Sequence, residues 1–504
     1  MKRIHVLMLF IAFILFWNIA CSPDQELFDL VQEENQEENG DGQNNGGGDV
    51  ENPTDEGSLP DNVSDTSELK AFPSAYGAGA YATGGRGGKV IKVTNLNGSG
   101  SGSFREAMLE SGARTIVFDV SGTIDLGGND IYLSGATKGN LTVAGQTAPR
   151  GGVTFTNGTI YFEAVDNVVI RYLRGRPAQA ASGEVSQGDA FIFWGCNDVI
   201  LDHVSVSFGG DQAITFNSGT KTMNRITIQK SLISDSYTGI IMGANNPDRY
   251  PDVDGVSFLN NLVVDMPHRT PNFSGDGYFE SVNNVIYNWM NRAINVNGGY
   301  AKVNHINNYY KRGRITERNT IEYNSNKIQI PNSSTNPSVY TAGNYYYPVL
   351  VDPNADNTAI WTDFSSSAKL PNQYFVSNQY PLLGAKVQIQ DAVDAYESTM
   401  ENVGANRFIS DSFEPQFYLD PYDSGKVNNV LNDVSTTPKD YSNWIVPNIP
   451  INYRADNFDS DGDGMPNQWE VTKNLDPNNP ADGNEDFNND GYTNLEDYLN
   501  LVDF

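Results

Sequence analysis

The sequence predicts an all-β protein: a right-handed parallel β-helix (a solenoid) with a loop-rich C-terminal extension and a small calcium-binding tail. Three observations carry this prediction. Short β-branched segments, among them NVVIRYLR at 167, NDVILDHVSVSF at 197, NRITIQKSLI at 224 and DGVSFLNNLVV at 254, alternate with Asn and Gly, which reads as strand and turn rather than helix. Asn pairs begin at 260, 283 and 307, a repeat inside the window of about 20–50 residues that marks a solenoid. Near the end of the sequence stand two acidic twelve-residue loops. A leucine-rich repeat is disfavoured because no L-x-x-L-x-L pattern occurs; a β-sandwich is the alternative.

At the N-terminus, Lys2 and Arg3 precede an apolar run that ends Ile19-Ala20-Cys21. A charged start followed by a hydrophobic core is a secretion signal, and Cys21 is placed to take lipid, although Asn18 stands where a lipobox usually has Leu. Residues 1–21 are therefore expected to be a lipoprotein signal peptide, with a plain transmembrane anchor as the alternative. The expected location is the cell surface or outer membrane, or the medium if the protein is secreted. The membrane is expected to be touched only through lipid on Cys21. Residues 22–70 hold 15 acidic residues and a single Lys, in stretches such as EENQEENGDGQNNGGG. They carry too few apolar side chains to bury a core and read as a self-repelling, disordered acidic linker; an acidic binding tail is the alternative.

The folded body is expected over 71–450. TGGRGGK, from Thr83, lacks the G-x-x-x-x-G-K-[ST] spacing of a phosphate loop and precedes a strand, so it reads as a Gly-rich turn. Ser103 and Glu106 have capping-box spacing and predict a short helix start. Cys196, the only other cysteine, reads as a small core residue. In QIQDAVDAYESTMENVGA, Val393, Tyr396 and Met400 are spaced three and four apart, which predicts an amphipathic helix. The acidity sits at the two ends of the chain, and the body shows no basic face to neutralise phosphates, so no nucleic-acid partner is expected. A monomer is expected.

Residues 451–504 are expected to form an EF-hand-like calcium-binding module. DSDGDGMPNQWE places Asp459, Asp461 and Asp463 at positions 1, 3 and 5, Gly464 at 6, Met465 at 7 and Glu470 at 12. DFNNDGYTNLED repeats the pattern with Asp486, Asn488, Asp490, Tyr492 and Asp497. Position 7 contributes a main-chain carbonyl, and Gly at 6 permits the sharp turn around a hard cation. The tail resembles thrombospondin type 3 and dockerin repeats, which implies a structural rather than catalytic calcium.

Acidic residues are few in the coils. Asp189 and Asp211 are separated in sequence by about one coil, and each precedes apolar strand residues, so the two carboxylates are expected to stack on neighbouring coils. Such carboxylates repel unless a cation sits between them. Arg269 follows two segments later. The plain alternative makes these acids solvated strand-edge residues and Arg269 a turn charge.

Taken together, AFPSAYGAGAYATGGRGGKVIKVTNL, GSGSFREAM, NLTVAGQTAP, NVVIRYLRGRP, GDAF, VILDHVSVSFGGDQ, HRTP and NNVIYNW resemble the pectate lyases of polysaccharide lyase family 1, particularly the Bacteroidetes branch. They span about residues 71–310. CSPDQE likewise resembles the start of surface lipoproteins of the Bacteroidetes. The resemblance implies calcium-assisted β-elimination of a uronic-acid polymer, chiefly pectate or polygalacturonate, as the anionic substrate. It implies Asp189 and Asp211 as Ca2+ ligands, Arg269 as the base, His268 on the substrate, and a mainly structural role for Asp202 and His203. The chain departs from the family at three points. Thr215 stands where another acid is expected, Thr238 near the place of an assisting Lys, and Asn272, Phe273 and Ser274 where a second Arg would follow Pro271. Two rival readings stay open: a polygalacturonase-type hydrolase, which would need paired carboxylates but lacks the G-H-G and R-I-K segments, and a non-catalytic glycan-binding β-helix.

Overall fold

The computed structural model describes residues 68–503, apart from 178–187, 318–325, 329–334, 365–367 and 439. All of them belong to one compact unit, Leu59–Phe504. The expected signal peptide, Cys21 and all but the last residues of the acidic linker lie outside the described residues. Among the described residues, no helix is long and apolar enough to cross a membrane.

The strands wind into three parallel sheets of ten, nine and ten strands, in which neighbours are almost always three strands apart in sequence. That is the parallel β-helix expected from the repeat. The one antiparallel member of these sheets is Asn452–Tyr453, which closes an edge against Val120–Asp125. Inward positions stack on their equivalents one coil away, as in Val168, Val199, Ile226, Val256, Phe279, Val303 and Val339. The steps along that series are shortest from Val256 through Phe279 to Val303 and longer on either side. The extra residues lie in the corners, so strand register is kept while coil length varies. Inside, Phe162, Phe193 and Phe216 stack face to face, with ring centres 4.4 Å apart at each step.

The Asn pairs divide their labour. The first of each pair, Asn260, Asn283 and Asn307, adopts the left-handed backbone at φ 54°, 55° and 48°, a conformation Asn tolerates better than most residues. The second forms a buried amide ladder. Asn261 donates to Asn284, Asn284 to Asn308, Asn308 to Asn344 and Asn344 to Asn357, at 2.9–3.0 Å. Each rung also donates to a main-chain carbonyl, as Asn284 does to Phe258 at 2.8 Å, so buried polar groups at this corner are satisfied internally.

The two predicted helices form. Phe104–Leu109 is capped by Ser103, whose side chain accepts from the N–H of Glu106, and it buries Phe104, Ala107 and Met108. Ala392–Glu401 buries Ala395, Tyr396 and Met400. A third helix, Pro421–Leu431, lies over the third sheet through buried ion pairs: Arg176 with Asp420 and Asp423 at 2.8 Å, and Lys426 with Asp265 at 2.7 Å and with Asp235. Burying these charges is tolerable only because each is paired. Cys196 is a buried free thiol.

The tail packs onto the coils. Met465, Trp469, Leu495, Tyr498 and Leu499 share a core with Ala144, Tyr172 and Ile409. Arg86 pairs with Glu496 at 2.8 Å. Arg171 holds Asp202 at 2.9 Å on one side and Asp503 on the other.

Candidate active site

The nine-stranded sheet carries the candidate residues. Its strands Phe191–Trp194, Gln212–Asn217, Thr238–Gly243, Asn272–Ser274 and Asn295–Gly298 are successive neighbours. Phe191, Ile214 and Ile240 point into the core, so the next residues, Ile192, Thr215 and Ile241, face outward, in register with Asn272 and Asn295.

Asp189 stands two residues before Phe191, opposite Gln212, whose N–H donates to its Oδ1 at 2.9 Å. The residue is 2 % exposed, and its Oδ2 has no hydrogen-bond partner among the described residues. Burial pushes its carboxyl up to about 7, against hydrogen bonds from Thr215 and Gln212; Asp211 adds to the rise and Arg269 opposes it. Asp211 precedes the adjoining strand and is exposed. Its carbonyl accepts from the N–H of Thr238 at 2.7 Å and from the Thr238 hydroxyl at 3.1 Å. The two carboxylates thus lie on neighbouring coils and feel each other.

Arg269 arrives one coil beyond Thr238 and two beyond Asp211. Its backbone is left-handed, φ 65°, ahead of a cis Thr270–Pro271 bond. Its carbonyl accepts from Ile240 and that of His268 from Gly239, at 2.7 and 2.9 Å. A Cβ on Gly239 would lie 2.0 Å from the Arg269 carbonyl oxygen, so only glycine admits this approach. The Arg269 Nη1 donates to the Thr238 hydroxyl at 3.3 Å. Burial lowers the guanidinium below its ordinary value, while Asp211 and Asp189 act to raise it. His268 is half-buried beside it. Two of the departures from the family pattern therefore have assigned work: the Thr215 hydroxyl donates to the Gln212 side chain at 3.1 Å beside Asp189, and that of Thr238 joins Asp211 to Arg269.

Sequence reasoning missed Arg292. Thr270 donates to the carbonyl of Ala293, and Asn272 is in register with Asn295. Arg269 and Arg292 therefore occupy equivalent points of successive coils. Burial and the charge of Arg269 push Arg292 down to about 10. The guanidinium lies 4.7 Å from the ring centre of Phe364, and it forms no ion pair with a described residue. Its signal in the sequence was its spacing from Arg269, the same as that between Asn261 and Asn284.

The donor set at Asp189 and Asp211 suits a hard divalent cation: two carboxylates, one with a buried oxygen that no described residue satisfies. The Asp202–His203 pair is internal: Asp202 bonds Arg171, His203 and Gln229, and His203 faces Asn402.

In the tail, Asp459, Asp461 and Asp463 gather their carboxylates within 4.8 Å, and Asp463, Glu470 and Asp482 do the same. Asp482 lies outside the twelve-residue pattern and was not foreseen. Glu470 is fully buried, with neither oxygen hydrogen-bonded. Burial and the carboxylates of Asp463, Asp461 and Asp482 push it up to about 8. These residues fit a calcium ion. Both loops fold alike: the N–H of Gly464 donates to Asp459, and that of Gly491 to Asp486, each at 2.9 Å. The N–H groups of Met465 and Tyr492 donate to Asp463 and Asp490 at 2.8 and 2.9 Å. In the second loop the Asn488 amide bridges Asp490 and Asp497 at 3.1 and 3.0 Å.

No family model matches the chain. It is 31% identical over 444 residues to the probable pectate lyase C of Aspergillus flavus, covering 87% of this chain and 95% of that protein. To the corresponding protein of Aspergillus terreus it is 30% identical over 452 residues, covering 86% and 94%. Among solved structures, jun a 1, the major allergen from cedar pollen, superposes with a TM-score of 0.50 at 19% identity, over 66% of this chain and 92% of its own, a likeness of fold. A parallel β-helix with 31% identity across nearly the whole length of a pectate lyase places this chain: it belongs to the pectate lyases.

Proposed function

We propose that the enzyme cleaves a uronic-acid polymer, chiefly pectate, by calcium-assisted β-elimination, with Arg269 as the base. The observation that carries this reading is the placement of Arg269 two coils from Asp211, joined to it through Thr238 on the coil between, and within the electrostatic reach of both Asp211 and Asp189. Asp189 and Asp211 are the residues that would hold the cation; Gln212 and Thr215 fix the first of them. Calcium there supplies charge stabilisation to the uronate carboxylate beside which the proton is lost, a Lewis-acid role. Arg269, aimed by the Thr238 hydroxyl, takes that proton, and the electron pair left behind expels the glycosidic oxygen, which takes up a proton from solvent, to leave an unsaturated sugar. Arginine is a poor base in water, with a pKa above about 12; burial favours its neutral form. Arg292 and His268 face the same stretch of polymer, the former as a cation for a neighbouring uronate.

The same reading assigns the tail two calcium ions with a structural role, and assigns Cys21 the lipid that holds a monomeric enzyme at the cell surface through residues 22–70. Membership of a lyase family leaves the hydrolase and non-catalytic readings without support. The test is the release of unsaturated, ultraviolet-absorbing ends from pectate across a calcium titration. Absence of such ends at every calcium concentration overturns the reading.

A further inference from the structure

We infer that Tyr132 and Tyr161 form a stacking platform for an uncharged pyranose unit of the polymer, on the N-terminal side of the cleavage site; this rests on the lyase reading above. The outward row that holds Thr215 continues backward through Ile192 to Tyr161 and Tyr132, in strict register on successive strands. Strand spacing puts Tyr161 about 10 Å and Tyr132 about 14 Å from Thr215, a span that a short stretch of polysaccharide covers. The two rings stack, with centres 4.8 Å apart and planes 29° from parallel. Tyr132 is 49 % exposed. With Tyr161 half-buried beneath it, the pair on the outer face of the sheet presents a flat apolar surface with polar tips, which is the complement of the C–H face of a sugar ring.

The charge around the platform selects the sugar. The Tyr132 hydroxyl donates to Glu163, and so does Ser134 at 3.3 Å. Glu163 forms no ion pair with a described residue. A uronate carboxylate placed here would meet the carboxylate of Glu163. On the other side of Asp189 and Asp211 the same sheet offers Arg269 and Arg292. The cleft is thus graded, cationic beyond the carboxylates and anionic before them, and the occupant of the platform is a neutral sugar or a methyl-esterified uronate. The two share one chemistry, an uncharged ring.

The experiment compares wild type with the Tyr132→Ala/Tyr161→Ala double variant on three substrates: a short de-esterified galacturonate oligomer, long de-esterified polygalacturonate, and the same polymer about half methyl-esterified. The ratio of kcat/KM on the esterified polymer to that on the short oligomer should fall about tenfold, mostly through KM. Tyr132→Phe/Tyr161→Phe, which keeps the rings, should restore most of it. Equal loss on all three substrates, no loss on any, or the greatest loss on the de-esterified polymer would overturn the platform. If wild type releases no unsaturated ends from any substrate, the lyase reading has failed instead. The platform is then decided by retention of the esterified polymer, where equal binding by wild type and the double variant rejects it.

Discussion

Arg292 stands at the same point of its coil as Arg269 does one coil earlier, and the two are held there by main-chain hydrogen bonds rather than by opposite charge. Like charges placed this close raise each other's cost, and Arg292 is lowered to about 10 by burial together with its neighbour. Two such cations on successive coils would favour an anionic ligand between them. Arg292→Gln should raise KM for pectate about tenfold, the value of one charge-assisted hydrogen bond, with a smaller effect on kcat. Initial rates across a substrate series decide it; an unchanged KM removes Arg292 from the site.

Arg269→Lys keeps the charge but loses the planar fork. It should lower single-turnover elimination by about a hundredfold or more, while polymer affinity changes less. Near wild-type elimination would return Arg269 to the status of a turn residue.

Glu280 gives the fold a pH signature away from the site. Burial pushes it up to about 7, against hydrogen bonds from Ser257 and the N–H of Leu383. The folded protein therefore holds a proton that the unfolded chain, with an ordinary value of 4.5, gives up. Between those values the folded state binds more protons, so stability falls as pH rises. Glu280→Gln should make this slope shallower by the contribution of one group. Denaturant melts at about pH 5 and about pH 8 measure it, and equal pH dependence in wild type and variant would refute the assignment.

Calcium removal should act on the tail before the coils. Glu470 is buried with both oxygens unsatisfied and sits among Asp463, Asp461 and Asp482. An ion bound only by the folded state adds about 2.7 kcal/mol at a hundredfold excess over its Kd. Chelation should therefore lower the melting temperature by several degrees, and Asp482→Asn should weaken the first-loop calcium although it lies outside the loop. Isothermal titration of the variant against wild type would show a lost or weakened site.

Asp202 is buried between Arg171, His203 and Gln229. Its carboxyl is held below the ordinary carboxylate range: burial raises it, but His203 and Arg171 outweigh that. Asp202→Ala leaves Arg171 short of a partner and should cost about 3–5 kcal/mol, read by urea denaturation. Turnover per folded molecule should change little.

The sequence exposed those parts of the structure that repeat or that match a spacing rule. The Asn pairs at 260, 283 and 307 announced the coil because the loops there are short. The longer coils on either side hide the same periodicity, since their extra residues lie in corners that strand register ignores. Asp189, Asp211 and Arg269 could be placed together because each sits at a strand entry. Arg292 was overlooked because the residues around it, NWMNRAIN, name no chemistry, and its one signal, the spacing from Arg269, has meaning only once the coils are stacked. Tyr132 and Tyr161 escaped for the same reason: they are a full coil apart in sequence, and only the pairing of their strands brings the rings together. Asp482 belongs to no loop pattern and joins Glu470 through tertiary packing alone.

The amide ladder from Asn261 to Asn357 bears on how this protein ages. Each rung works because one side chain both donates and accepts. Hydrolysis of a single amide, at Asn284 for instance, converts that donor into a carboxylate facing the oxygen of Asn308. The lost bond becomes a repulsion inside the fold. The same burial that makes such a change costly also shields the amides from the water that would bring it about, so the ladder protects itself as long as the coil stays closed.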